Sequence, residues 1–266
     1  MTIAVTTQKG GTGKTTVATH LAVGLAKRGQ RVLLLDLDPQ SNSSSLLFPE
    51  YGRFEKETNP KETTIVSTIL ERNPLPIYQS IEARLDIVPS HILLSGADTI
   101  LAIAQDHKEQ RLSKQLAQVK DNYDYIFIDC PPNLGILTIN AFVASDKFLV
   151  VVEPGTFAFS SIKQLQETIE YLIKKEYEHN IELLGFLFNK KAPTDVSRET
   201  YEALRNIFQE RLFKTVIPRN TDIEKAQLVG SNVFDFNPEA AAAIALNHLI
   251  DEIFYHAKDE NIRWFD

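Results

Sequence analysis

Short, nearly unbroken apolar runs alternate along this chain with longer segments whose apolar residues recur every three or four positions. The runs are Ile3-Ala4-Val5, 31–36, 85–89, 123–129, 147–153, 183–189 and 215–218. Runs with so few polar positions suit strands covered on both faces, as in a parallel sheet. Helical spacing predicts helices over 14–28, 63–72, 96–120, 134–144, 159–178, 196–212, 223–229 and 238–257. The first carries Val17, Ala18, Leu21, Ala22 and Leu25 on one face, with Gly29 as its stop. Strand–helix alternation of this kind predicts an α/β fold: a mostly parallel twisted sheet flanked by helices on both faces, with right-handed crossovers. No linker-like stretch and no internal repeat divides the chain, so residues 1–266 are expected to form a single domain. The stretch 49–60 reads as an irregular insertion, 41–45 as a polar loop and 258–266 as a tail.

Composition narrows the class. Hydrophobic residues make up 43% and charged residues 24%, ordinary for a soluble globular protein. One cysteine rules out a disulfide framework and fits a reducing cytosol. No signal-peptide pattern and no membrane-length apolar run is expected, which predicts a cytoplasmic protein without a membrane partner. The net charge of −7 argues against a wholly basic nucleic-acid binder, though a local basic face is compatible with it.

The chemistry concentrates where the first strand ends and the first helix begins, at Lys9-Gly10-Gly11-Thr12-Gly13-Lys14-Thr15-Thr16. Glycines let backbone N–H groups close around an anion, and the helix N-terminus adds partial positive charge. Lys14 would neutralise outer phosphates, and the Thr15 hydroxyl would reach Mg²⁺. The usual first glycine is replaced by Gln8, and a second lysine, Lys9, stands at the loop entrance. Asp129 ends an apolar strand, where its carboxylate would hold a water on the metal. Asp36 and Asp38 are two apart and would share a side if the chain stayed extended, one serving the metal and the other orienting an attacking water. Asn189-Lys190 resembles a guanine-reading motif, but its acid is missing: position 192 is Ala. ATP is therefore expected over GTP, with Asn189 and the backbone near Pro218 facing the base.

This loop resembles the deviant Walker A box of the ParA/MinD ATPases, a group of P-loop NTPases, and specifically that of ParA partition proteins. The resemblance extends through Asp36-Leu37-Asp38-Pro39-Gln40, Asp129-Cys130-Pro131-Pro132-Asn133, Thr138-Ile139-Asn140-Ala141, Val152-Glu153-Pro154 and Val216-Ile217-Pro218-Arg219-Asn220. Ser41 departs from the usual Gly. The resemblance implies a Mg²⁺-dependent ATPase whose two monomers sandwich two ATP molecules, with Lys9 reaching the partner's phosphates. It further implies that the ATP homodimer binds nonspecific double-stranded DNA on the nucleoid and is released by a ParB-like or small adaptor protein, positioning a plasmid, a chromosome or a protein organelle such as carboxysomes.

Residues 185–230 hold eight basic and six acidic side chains, leaving the rest of the chain at −9. Lys190, Lys191, Arg198, Arg205, Arg211, Lys214 and Arg219 are the candidate phosphate-tracking cations. A solvated mixed-charge surface is the competing reading. A MinD-like membrane anchor needs a basic amphipathic C-terminal helix, and this end is acidic. An iron-protein-like cluster carrier needs a second cysteine beside Cys130. An ATP-dependent ligase of the dethiobiotin-synthetase kind stays open as a different class. The six histidines show no metal-site spacing.

Overall fold

A computed structural model describes residues 1–256 apart from 8, 49, 105, 156 and 157, so Gln8 and the 258–266 tail lie outside the described residues. Eight strands form one sheet: β1 (Thr2–Thr6), β2 (Val32–Asp36), β3 (Tyr78–Gln79), β4 (Leu85–Val88), β5 (Tyr125–Asp129), β6 (Lys147–Val152), β7 (Glu182–Lys191) and β8 (Leu212–Pro218). Their order is β3-β4-β2-β5-β1-β6-β7-β8. Every pairing is parallel except β3 with β4, so the predicted mostly parallel sheet is present, with a short antiparallel edge that periodicity missed.

Because side chains alternate across a strand, each central strand feeds two apolar layers. Leu33, Leu35, Ile126 and Ile128 enter one layer. Ile3, Val5, Val32, Leu34 and Phe127 enter the other, beneath the first helix. Helices cover both faces: α1 (Lys14–Lys27), α2 (Asn42–Leu47), α3 (Tyr51–Glu57), α4 (Pro60–Thr63), α5 (Ile65–Glu71), α6 (Ala97–Ala102), α7 (Arg111–Leu116), α8 (Ile136–Val143), α9 (Ala158–Thr168), α10 (Asp195–Phe208), α11 (Thr221–Leu228), α12 (Val233–Phe236) and α13 (Ala241–His256). Along β6 and β7 the register slips by one: Phe148 pairs with Leu183, but Leu149 pairs with Gly185.

Three expectations need correction. The stretch 49–60 is not irregular, since α3 and the start of α4 occupy it. Residues 41–45 are not a plain loop, since α2 begins at Asn42. The helix expected over 96–120 is broken into α6, α7 and short 3₁₀ turns. Arg111 explains the break. Its guanidinium pairs with both Asp106 oxygens, at 3.0 and 2.7 Å, and caps α5 by donating to Ile69 O and Leu70 O. Residues five apart on a continuous helix point to different faces, so the bidentate pair requires the chain to turn between them. The second half of the helix expected over 159–178 is wound as a π-helix over Ile169–Glu176.

Candidate functional site

The loop after β1 is shaped by two glycines in the left-handed region, Gly11 at φ 81° and Gly13 at φ 88°. The Gly13 carbonyl then accepts the Val17 N–H at 2.9 Å, which starts α1. The end of β7 closes over this loop. Asn189 Nδ2 donates to Thr12 O at 2.7 Å, and Lys190 Nζ donates to Gly11 O. A Cβ at Gly13 would overlap the Asn189 amide, so glycine is required there for space as well as for φ. With its nitrogen on a carbonyl, Asn189 keeps its oxygen as an acceptor.

A cavity of about 680 Å³ opens above the loop, lined by Gly10, Gly11, Gly13, Lys14, Thr15 and Thr16. Asp38, Asn189 and Pro218 also line it. Thr12 lies buried beneath. The far wall comes from α11, through Ile223, Glu224 and Gln227, which the sequence reading did not include. Lys14 is 5% exposed at the base of this cavity.

The acids divide differently from expectation. Asp36 and Asp129 are register partners at the ends of β2 and β5, and both are fully buried. Asp36 Oδ2 accepts the Ser44 N–H at 2.9 Å and its hydroxyl at 2.7 Å, and Oδ1 accepts the Asp38 N–H at 3.1 Å. Burial, with the neighbouring Asp129 charge, pushes Asp36 well above the usual carboxylate range, against the Ser44 hydrogen bonds. The chain turns after Asp36, so the two acids do not share a side: Asp38 lines the cavity, while Asp36 is enclosed by its donors. Asp129 Oδ2 accepts the Ser43 hydroxyl at 2.7 Å, and Oδ1 is buried without a hydrogen-bond partner. Burial raises Asp129 to about 6, opposed by the Lys14 charge and by the Ser43 and Thr15 hydroxyls. A buried, donorless carboxylate oxygen beside Thr15 suits the hydration shell of a divalent cation. No group of three or more His, Cys, Asp or Glu side chains among the described residues forms a metal cage.

Ser43 and Ser44 are missed by sequence reasoning as well. Their partners lie 86 and eight residues away, and a serine run reads as loop. Lys9 does not enter its own cradle. It pairs with Glu153 at 2.5 Å and stays 52% exposed. The seven candidate DNA cations sit on different elements. Lys190 and Arg219 line the cavity, and the Arg219 N–H donates to Lys191 O at the same sheet edge. Arg211 and Lys214 lie toward the opposite end of β8. Arg198 pairs with Asp195 on α10, which also carries Arg205. Cys130 is buried and its thiol is pushed up by burial, as an inert core side chain should be.

A family profile described as an AAA domain matches residues 1–183. The chain is 36% identical to the sporulation initiation inhibitor protein Soj of Bacillus subtilis, over 94% of this chain and 97% of that protein. It is 35% identical to the chromosome partitioning protein ParA of Myxococcus xanthus, over 87% of this chain and 80% of that one. Its fold is similar to that of cobyrinic acid a,c-diamide synthase from Mycobacterium smegmatis, solved with a bound ATP analog and magnesium. That match has a TM-score of 0.77 and 25% identity, over 98% and 97% of the two chains. The glycine-shaped loop with Lys14 beneath it, the acids at the strand ends, and sequence identity of 36% and 35% over most of the chain place it in the ParA/Soj/MinD family of ATPases.

Proposed function

We propose that this chain is a Mg²⁺-dependent ATPase switch, one folded unit, that dimerises on ATP and binds nonspecific DNA in that state. A ParB-like or small adaptor protein triggers hydrolysis, and the cycle segregates a plasmid or chromosome or positions a protein organelle. Lys14 neutralises the outer phosphates of its own nucleotide, and Asp38 orients the attacking water from the cavity edge. Thr15 would hold the cation directly and Asp129 through a water, and the cation when bound would supply charge neutralisation at the phosphates. Asp36, with all its near donors satisfied, fixes the Asp38 turn rather than entering the cation's shell. The Asn189 oxygen accepts the adenine amino group, and the Pro218 backbone lies alongside.

The observation that carries the reading is Lys9. A lysine of the phosphate loop that is half exposed and paired with Glu153 at the rim is available to a second molecule. Supplied in trans, it would stabilise charge on the transferring phosphate and tie hydrolysis to dimerisation. With Lys190 and Arg219 facing the cavity, Lys191, Arg198, Arg205, Arg211 and Lys214 remain for DNA. No helix of the described residues is long and apolar enough to cross a membrane, and the proposed setting is the cytoplasm and, with ATP, the nucleoid.

The test is ATP turnover with and without nonspecific double-stranded DNA, at two salt concentrations. Stimulation that weakens as salt rises is expected. Turnover indifferent to DNA but dependent on a small carboxylic-acid substrate would favour the ligase reading, which the likeness to the diamide synthase keeps in view.

A further inference from the structure

Helix α3 contributes nothing to the cavity lining, yet Tyr51 joins the helix to the turn that carries Asp38 through Ser90. Phe48 and Phe54 meet at 4.9 Å between ring centroids, and Tyr78 lies 5.1 Å from each. Tyr51 completes this aromatic cluster and is 5% exposed. Four rings locked together seat α3 against the sheet edge. From there the Tyr51 hydroxyl donates to Ser90 O at 2.8 Å. Ser90 is fully buried just past the end of β4.

Ser90 belongs to a closed circuit of hydrogen bonds. Its hydroxyl donates to the Asp38 main-chain oxygen at 2.7 Å, and its N–H donates to Ser44 Oγ at 2.9 Å. The Ser44 hydroxyl donates to Asp36 Oδ2, and Asp36 Oδ1 accepts the Asp38 N–H, which returns to the starting residue. Both backbone polar groups of Asp38 are thus tied to one buried ring, while its carboxylate stays at the cavity. A residue so held presents its side chain in one orientation, which water activation requires.

Resting on the role given above to Asp38, we propose that Ser90 and Tyr51 are positioning residues for hydrolysis: they hold the Asp38 turn from outside and touch neither nucleotide nor water. The experiment compares Ser90→Ala and Tyr51→Phe with wild type and Asp38→Ala. Turnover, equilibrium binding of a fluorescent ATP analog and amide hydrogen exchange are measured for each. Ser90→Ala should lower kcat about tenfold, the rate equivalent of ~1.4 kcal/mol, with nucleotide affinity within about twofold and faster exchange confined to residues 37–44. Tyr51→Phe should do the same more weakly, about threefold, because it acts through Ser90. Added to Asp38→Ala, neither change should lower the residual rate further. Loss of affinity with kcat intact, faster exchange across β1 and β5 as well, or an equal further loss in the Asp38→Ala background would assign Ser90 a merely structural role and overturn the inference. Wild-type kcat in both variants beside a disabled Asp38→Ala would overturn it while leaving the reading of Asp38 standing. Wild-type turnover in Asp38→Ala would remove both.

Discussion

Replacing His20 with Gln should make the protein's stability less sensitive to acid. His20 sits on α1, 1% exposed, and both ring nitrogens are engaged. Nδ1 lies 2.7 Å from Thr16 O and so carries the proton, while Nε2 accepts the Val233 N–H at 3.1 Å. Phe234 meets the ring edge-on at 5.6 Å. Protonating Nε2 would set two N–H groups against each other in a dry site. Burial accordingly lowers the pKa from 6.5 to about 4, opposed by the Thr16 carbonyl. Between those values the unfolded chain holds a proton that the folded one does not, so stability falls as pH falls. The full window is worth about 3 kcal/mol, of which ~2 kcal/mol is lost between pH 7.5 and pH 5.0. The raised carboxylates Asp36 and Asp129 act in the opposite sense, gaining stability as pH falls, but they are common to both proteins and cancel in the comparison. Urea unfolding of wild type and His20→Gln at pH 7.5 and 5.0 measures the difference directly. Its cost to stability should shrink by about 2 kcal/mol at the lower pH. Parallel pH dependence in the two proteins would refute the buried neutral imidazole.

Other perturbations probe the cradle itself. Lys14→Ala should abolish ATP binding by equilibrium titration, because the cavity then loses its buried cation. Lys9→Ala should bind ATP within about tenfold of wild type yet stay monomeric by light scattering; an ATP dimer in that variant would remove Lys9 from the shared site. Gly13→Ala should cost about 2–3 kcal/mol in urea unfolding, combining ~1–2 kcal/mol for the left-handed conformation with ~1 kcal/mol for the displaced Asn189 hydrogen bond. Gly11→Ala, where a Cβ meets nothing within 4 Å, should cost only the first part; equal costs would refute the Asn189 contact.

The seven parallel strands, α1, and the positions of Lys14, Asp38 and Asp129 were legible because each rests on a local rule, whereas the order of the strands across the sheet was not. Apolar runs make buried strands, helical spacing makes α1, and strand ends gather at one edge. The missed features share a different cause. Ser44 matters because Asp36 lies next to it in space, and Ser43 because Asp129 does, and no periodicity records either pairing. The break between α6 and α7 depends on Arg111 finding the carbonyls of α5, about forty residues earlier. Asp36 and Asp38 were read as sharing a side because period-two alternation was carried one turn too far. The strand stops at Asp36, and an Asx-type hydrogen bond from the Asp38 N–H redirects the chain.

The slip between β6 and β7 settles a question of parity. Leu183 and Phe188 are an odd number of residues apart on one strand, yet both enter the same apolar layer. Strict alternation forbids this, and the extra residue at the slip permits it. Every side chain beyond that point is thereby exchanged between faces, including Asn189, which reaches the phosphate loop on the α1 side. Gly185 takes the odd place where a Cβ would come within 2.6 Å of the Phe213 ring. Deleting one residue at the slip would therefore leave β7 regularly alternating with Asn189 still on the α1 side, whereas deleting one residue between Gly185 and Phe188 would turn Asn189 away from the nucleotide without touching any residue of the site.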